Sequence, residues 1–127
     1  MRKHNLKKIL VVDDDQVDRI LLRKVLSKSY IIAEASSGEE AVNLTRSDKP
    51  DLVLMDVMMP TIDGYNACFM IKRDPLTAEI PVVMLTGLKC ELNVRLAERV
   101  GATGYLTKPF NPQDLLDIID QFLCNDK

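Results

Sequence analysis

Histidine is nearly missing from this chain: the one copy, His4, lies in a basic tail, "MRKHNLKK". A Ser/His/Asp triad or a histidine-ligated metal centre is therefore hard to build, and any nucleophile must be another residue type. Cysteine is scarce as well. Cys68, Cys90 and Cys124 are odd in number, widely spaced and without a CxxC or Cys/His pattern, which argues against a disulfide framework or a zinc site and for reduced, structural thiols. No apolar run approaches the roughly 20 residues of a membrane helix, and the N-terminus lacks the apolar core of a signal peptide. A cytoplasmic protein without membrane insertion is expected. An excess of basic charge is missing too: 17 Lys and Arg against 19 Asp and Glu leave a formal net charge of -2, so direct nucleic-acid binding is not expected. The basic tail, about residues 1–7, reads as a solvated end.

What the chain does have is a regular alternation. At 127 residues, 46% hydrophobic and 28% charged, it suits one domain, 1–127, with a real core and no repeat, linker or low-complexity tract. Unbroken apolar runs "ILVV" (9–12), "YIIA" (30–33), "LVLM" (52–55), "VVML" (82–85) and the shorter "YL" (105–106) predict strands covered on both faces, as in a parallel sheet. Between them, Leu21, Leu22, Val25 and Leu26 make one helical stripe, and Ala67, Met70 and Ile71 another. "SGEE" (37–40) has the form of a capping box, and "NPQD" offers Asn111 as an N-cap with Pro112 at the first helical position. The last helix then carries Leu115, Ile119 and Phe122 on one face. Five β/α units joined by right-handed crossovers make a doubly wound, five-stranded parallel α/β domain with helices on both faces.

The strand ends carry the chemistry. In "ILVVDDDQVDR" four branched apolar residues run straight into Asp13, Asp14 and Asp15, where mutual repulsion calls for a cation, solvent or bound protons. Ligands of such sheets bind beyond the carboxyl ends of the strands. There the first strand supplies Asp13 and Asp14, the third Asp56, the fourth Thr86, and the fifth is followed by Lys108. Singly, each reads as a solvated strand end; that explanation would have to hold at four strands at once. Gly64 and Gly101 read as backbone-geometry positions, and Met55, Met58 and Met59 as packing. Val17 and Asp18, near the acidic edge, are candidates for contact with a phosphodonor.

The segments "VVDDD", "LMDVMMPTIDGY", "MLTG" and "GATGYLTKPF" follow one another in an order and spacing that resembles the receiver domain of bacterial two-component response regulators, chemotaxis regulators included, over nearly the whole chain. The resemblance implies the flavodoxin-like strand order 2-1-3-4-5. It implies Asp56 as phosphoacceptor, and Asp13, Asp14, Asp56 and the backbone carbonyl of Met58 as ligands of a divalent cation, magnesium or another such as manganese. It further implies that Thr86 and Lys108 contact the phosphoryl group, that Thr86 and Tyr105 form the switch, and that the Lys108–Pro109 bond is cis. The phosphodonor would be a histidine kinase or a histidine phosphotransfer protein. The downstream protein target would dock at the last two helices and the fifth strand. Such a chain is a switch that promotes its own phosphorylation and dephosphorylation rather than an enzyme acting on a separate substrate, and stand-alone action is expected.

The charges agree with these roles, since three carboxylates are balanced by one divalent cation and one ammonium. Magnesium commonly takes one or two carboxylates plus phosphate oxygens and keeps waters, which suits an open site. Two rivals fare worse. A haloacid dehalogenase-like phosphohydrolase wants a second acid two residues after the nucleophile, where this chain has Met58. An EF-hand loop starting at Asp13 would need glycine at Asp18 and glutamate at Lys24. A degenerate receiver acting only as a scaffold is disfavoured because every phosphorylation residue is present.

Overall fold

The computed structural model describes residues 6–57, 59, 63–87 and 91–123, the side chains of 91–94 excepted. Five strands alternate with five helices: β1 (Lys8–Val12), α1 (Gln16–Leu26), β2 (Ile31–Ala35), α2 (Gly38–Asp48), β3 (Leu52–Asp56), α3 (Gly64–Arg73), β4 (Val82–Thr86), α4 (Glu91–Arg99), β5 (Gly104–Thr107) and α5 (Pro112–Leu123). The strands form one sheet in the order β2-β1-β3-β4-β5. All four pairings are parallel, with Val12 opposite both Ala35 and Met55, Asp56 opposite Leu85 and Thr86 opposite Thr107.

Successive strand residues point to opposite faces, so an unbroken apolar run feeds two cores at once. On one face Leu10, Val12, Val53, Met55, Val82 and Met84 pack with Ala41 of α2, with Ala67, Cys68 and Ile71 of α3 and with Ala97 of α4. On the other, Ile9, Val11, Leu52, Leu54, Val83 and Leu85 meet Leu22 and Leu26 of α1 and Leu115, Ile119 and Leu123 of α5. Every residue of β3 and β4 is buried. This two-sided cover is the reason the central strands show no polar alternation. Cys68 fits the structural reading of the thiols: it is buried beneath α3, free, and pushed up to about 11 by that burial. Cys90 and Cys124 lie outside the described residues.

Local signals set most boundaries. The Ser37 side chain accepts a hydrogen bond from Glu40 N at 3.1 Å, as the capping box requires, but Glu40 reaches back to Ser36 N (2.8 Å) instead of to Ser37. Asn111 accepts from Asp114 N at 2.8 Å and α5 opens on Pro112. Asp15, without an assigned role in the sequence, caps α1 by accepting from Val17 N at 2.8 Å. Two expectations shift. β2 begins at Ile31 and ends at Ala35, because Tyr30 N is still tied to Leu26 O at the end of α1 and the pairing with β1 carries the strand on to Ala35. Leu21 and Met70 are exposed, leaving Leu22 with Leu26 and Ala67 with Ile71 as the buried rows.

A candidate acidic metal and phosphoryl site at the strand ends

The carboxyl ends of β1, β3 and β4 and the turn after β5 converge on one point. Asp13 follows β1 and is 1% exposed. Its backbone is fixed twice, since its N–H donates to Ala35 O at 3.1 Å and its carbonyl accepts from Arg19 Nη1 at 2.6 Å. Arg19 is itself held by Glu34 of β2 through Nε at 3.1 Å, and Arg23 donates to the same carboxylate at 2.6 Å. One Asp13 carboxylate oxygen, Oδ1, accepts from Asp15 N at 2.9 Å, whereas the buried Oδ2 accepts no hydrogen bond. Burial pushes the Asp13 carboxyl up to about 6; the neighbouring Asp56 charge pushes the same way, while the bond from Asp15 N and the Lys108 ammonium oppose it.

Asp56 closes β3 at 5% exposure. The chain returns tightly over its carbonyl: Gly64 N donates to Val57 O at 3.0 Å, and a Cβ on Gly64 would collide with Asp56 O. Only glycine allows that approach. Gly101, with φ of 90°, likewise serves the backbone, ending the segment after α4. Thr86 ends β4, nearly buried, and its carbonyl accepts from Lys108 N at 2.7 Å, which seats the turn after β5 on the site. The Lys108–Pro109 bond is cis, as the resemblance implied.

Lys108 points its ammonium into the acids. Nζ lies 3.3 Å from Asp56 Oδ1, 3.8 Å from Asp13 Oδ2 and 3.9 Å from Asp18 Oδ2. Burial by itself would push its pKa down, but Asp56, Asp13 and Asp18 more than offset that, and the pKa is raised. One oxygen each of Asp13, Asp14 and Asp56 lie within 4.8 Å of one another, with Asp14 exposed toward solvent. An orphaned, buried carboxylate oxygen inside such a cluster suits a hard divalent cation bound by oxygen. Asp13, Asp14 and Asp56 can hold it. The Met58 carbonyl lies outside the described residues. Tyr105, on β5 opposite Met84, is 41% exposed.

The structure thus brings Asp13, Asp14, Asp56, Thr86 and Lys108 to one sheet edge. Reading the sequence missed the Asp18–Lys108 contact and the Arg19–Glu34 brace. The available signal was spacing: Asp18 and Arg19 stand in the first turn of α1, directly after the acids, where a side chain can fold back over the strand end.

A model of the response regulator receiver domain family matches residues 9–120. The chain belongs to that family. It is 41% identical over 118 residues to the chemotaxis protein CheY of Halobacterium salinarum, covering 92% of this chain and 97% of that protein. A putative response regulator of Chloroflexus aurantiacus superposes with a TM-score of 0.90 at 35% identity, over 95% of this chain and all of the other. The receiver domain of a Pseudomonas aeruginosa sensor histidine kinase, solved with a magnesium ion coordinated in its active-site cleft, superposes with a TM-score of 0.88 at 26% identity, over 94% and 99% of the two chains. The chain spans under half the length of the curated transcriptional regulators it matches. Receiver domains are phosphorylation-activated signalling switches that take phosphate from histidine kinases. Among the described residues no helix is long and apolar enough to cross a membrane.

Proposed function

We propose that this receiver accepts a phosphoryl group on Asp56 in a magnesium-dependent reaction and signals through protein contacts in the cytoplasm. The observation that carries this is the surround of one buried carboxylate: an ammonium at 3.3 Å, and within 4.8 Å an oxygen each of Asp14 and Asp13, whose buried Oδ2 accepts no hydrogen bond. Asp13, Asp14 and Asp56 would hold magnesium, or manganese, which when bound neutralises charge on the transferring group. Phosphoryl transfer passes through a loose transition state and rests on alignment and charge stabilisation. Asp56 attacks phosphorus in line, the bond from phosphorus to the phosphohistidine nitrogen breaks, and its electrons leave with the imidazole. Lys108 and the Thr86 hydroxyl hold the equatorial oxygens. No general base is needed, because a carboxylate is already the nucleophile. Water attacking the acyl phosphate in the same geometry resets the switch.

The donor would be a histidine kinase or a histidine phosphotransfer protein, and small acyl phosphates should serve as well because the site supplies its own alignment. After incubation with magnesium and acetyl phosphate, borohydride reduction should convert one aspartate to homoserine, located at position 56 by peptide mass mapping. Absence of the product, or homoserine elsewhere, would reject the assignment.

Phosphorylation adds roughly -1.5 to -2 charge and three acceptor oxygens, which draws the Thr86 hydroxyl inward. The exposed Tyr105 side chain can then turn into the space released, remodelling the face formed by α4, β5 and α5 where a protein target would dock. Moving such an equilibrium from 1:99 to 99:1 takes about 5.5 kcal/mol, and a few charge-assisted contacts at roughly 1.5–3 kcal/mol each suffice. Beryllofluoride, a phosphoryl mimic, should therefore shift the NMR signals of Tyr105 far more in the wild type than in Thr86→Ala. Equal shifts in the two proteins would mean that the signal bypasses Thr86.

A further inference from the structure

Lys108 serves three carboxylates, and one of them has no part in the phosphoacceptor chemistry. Asp18 stands in the first turn of α1, where an acid is favoured by the helix dipole whatever it touches. Its carboxylate nevertheless lies across the site, 3.9 Å from Lys108 Nζ. Both residues line a cleft of about 440 Å³, together with Lys24 and the apolar side chains of Leu22, Val25 and Phe110. The hydrogen bond from Lys108 goes to Asp56, and Asp18 adds a longer-range attraction on the same ammonium from the α1 side.

Building on the reading of Asp56 as phosphoacceptor, we propose that Asp18 is a positioning residue that holds Lys108 on the α1 side of the site and slows phosphoryl transfer to Asp56. In the transition state the ammonium must follow the phosphoryl oxygens. Any attraction to Asp18 that is stronger before transfer than during it stabilises the resting state and raises the barrier. The hold is modest, because the two side chains are 43% and 32% exposed.

The test is the rate of phosphorylation at saturating magnesium for wild type, Asp18→Asn and Asp18→Glu, with acetyl phosphate and with the less negatively charged donor phosphoramidate. Asp18→Asn should be about two- to fivefold faster with both donors, the scale of one half-exposed ion pair, and Asp18→Glu should restore the slow rate. An unchanged or lower rate in Asp18→Asn would overturn the inference. So would a gain with acetyl phosphate only, which would mean that Asp18 repels the donor directly rather than acting through Lys108. A wild type that takes up no phosphoryl group from either donor would overturn the phosphoacceptor reading itself, whereas uptake by wild type at the Asp18→Asn rate removes only the role given to Asp18.

Discussion

Asp56→Ala should take up no phosphoryl group from acetyl phosphate under conditions that label the wild type fully, while keeping its fold. The loss is expected to be complete on the time scale of the assay, more than about a thousandfold in rate, because the substitution removes the nucleophile rather than a stabilising contact. No neighbour can replace it. Asp13 is anchored by Asp15 N through one oxygen and its backbone is braced by Arg19, which keeps its carboxylate at the end of β1 and away from the position of Asp56. Asp14 lies on the solvent side of the cluster. The fold should survive because β3 is held by its parallel pairing with β1 and β4 and by its apolar residues, none of which the Asp56 side chain supplies. Since the Asp56 charge helps to raise the Asp13 pKa, that pKa should fall in the variant, a change that carboxyl NMR shifts would register. Intact-mass measurement alongside thermal melting checks the main expectation. Equal labelling of variant and wild type, with both folded, would place the phosphoryl group elsewhere.

The parts of this molecule legible from sequence are those fixed by local pattern. Unbroken apolar runs identify β1, β3 and β4 because those strands are covered on both faces, and the order of acids, hydroxyl and amine at their ends follows from the rule that parallel sheets bind at one edge. β2 is harder to bound. It is an edge strand, half exposed, and its limits are set by register with β1, a tertiary fact. Leu21 and Met70 look like members of buried helical rows but face water, since a helix has only one docked stripe and the docking angle chooses between adjacent residues. The same dependence hid the second layer of the site. Arg19 reaches Glu34 on β2 and Asp18 reaches Lys108 beyond β5, pairs far apart in sequence that meet only once α1 has packed on the sheet.

Asp13→Asn should have opposite effects on stability and on metal binding. The Asp13 carboxyl is raised from 3.8 to about 6 in the fold, first by burial and then by Asp56. Because the folded protein binds this proton more tightly than the unfolded chain, the contribution of Asp13 favours folding below about pH 4 and is lost as pH rises through about 6. At neutral pH the metal-free protein therefore holds an unfavourable buried charge. At about 1.4 kcal/mol per pKa unit the penalty is at most about 3 kcal/mol, a net figure in which the attraction of Lys108 is already included. Asparagine keeps the shape and the acceptor for Asp15 N, so in the presence of EDTA at pH 7 the variant should be more stable than wild type by about 1–3 kcal/mol, with the difference vanishing near pH 4. Magnesium should reverse the ranking. It binds the folded wild type and stabilises it by mass action, and below about pH 6 it must displace the Asp13 proton, so wild-type affinity should fall about tenfold per pH unit there. The variant, lacking that carboxylate, should gain little from magnesium at any pH. Urea denaturation from pH 4 to 7.5, with EDTA or with magnesium, measures each of these differences. A variant less stable than wild type in EDTA at pH 7, or stabilised by magnesium as much as wild type, would show that the Asp13 charge is neither a cost to the empty fold nor a ligand to the cation.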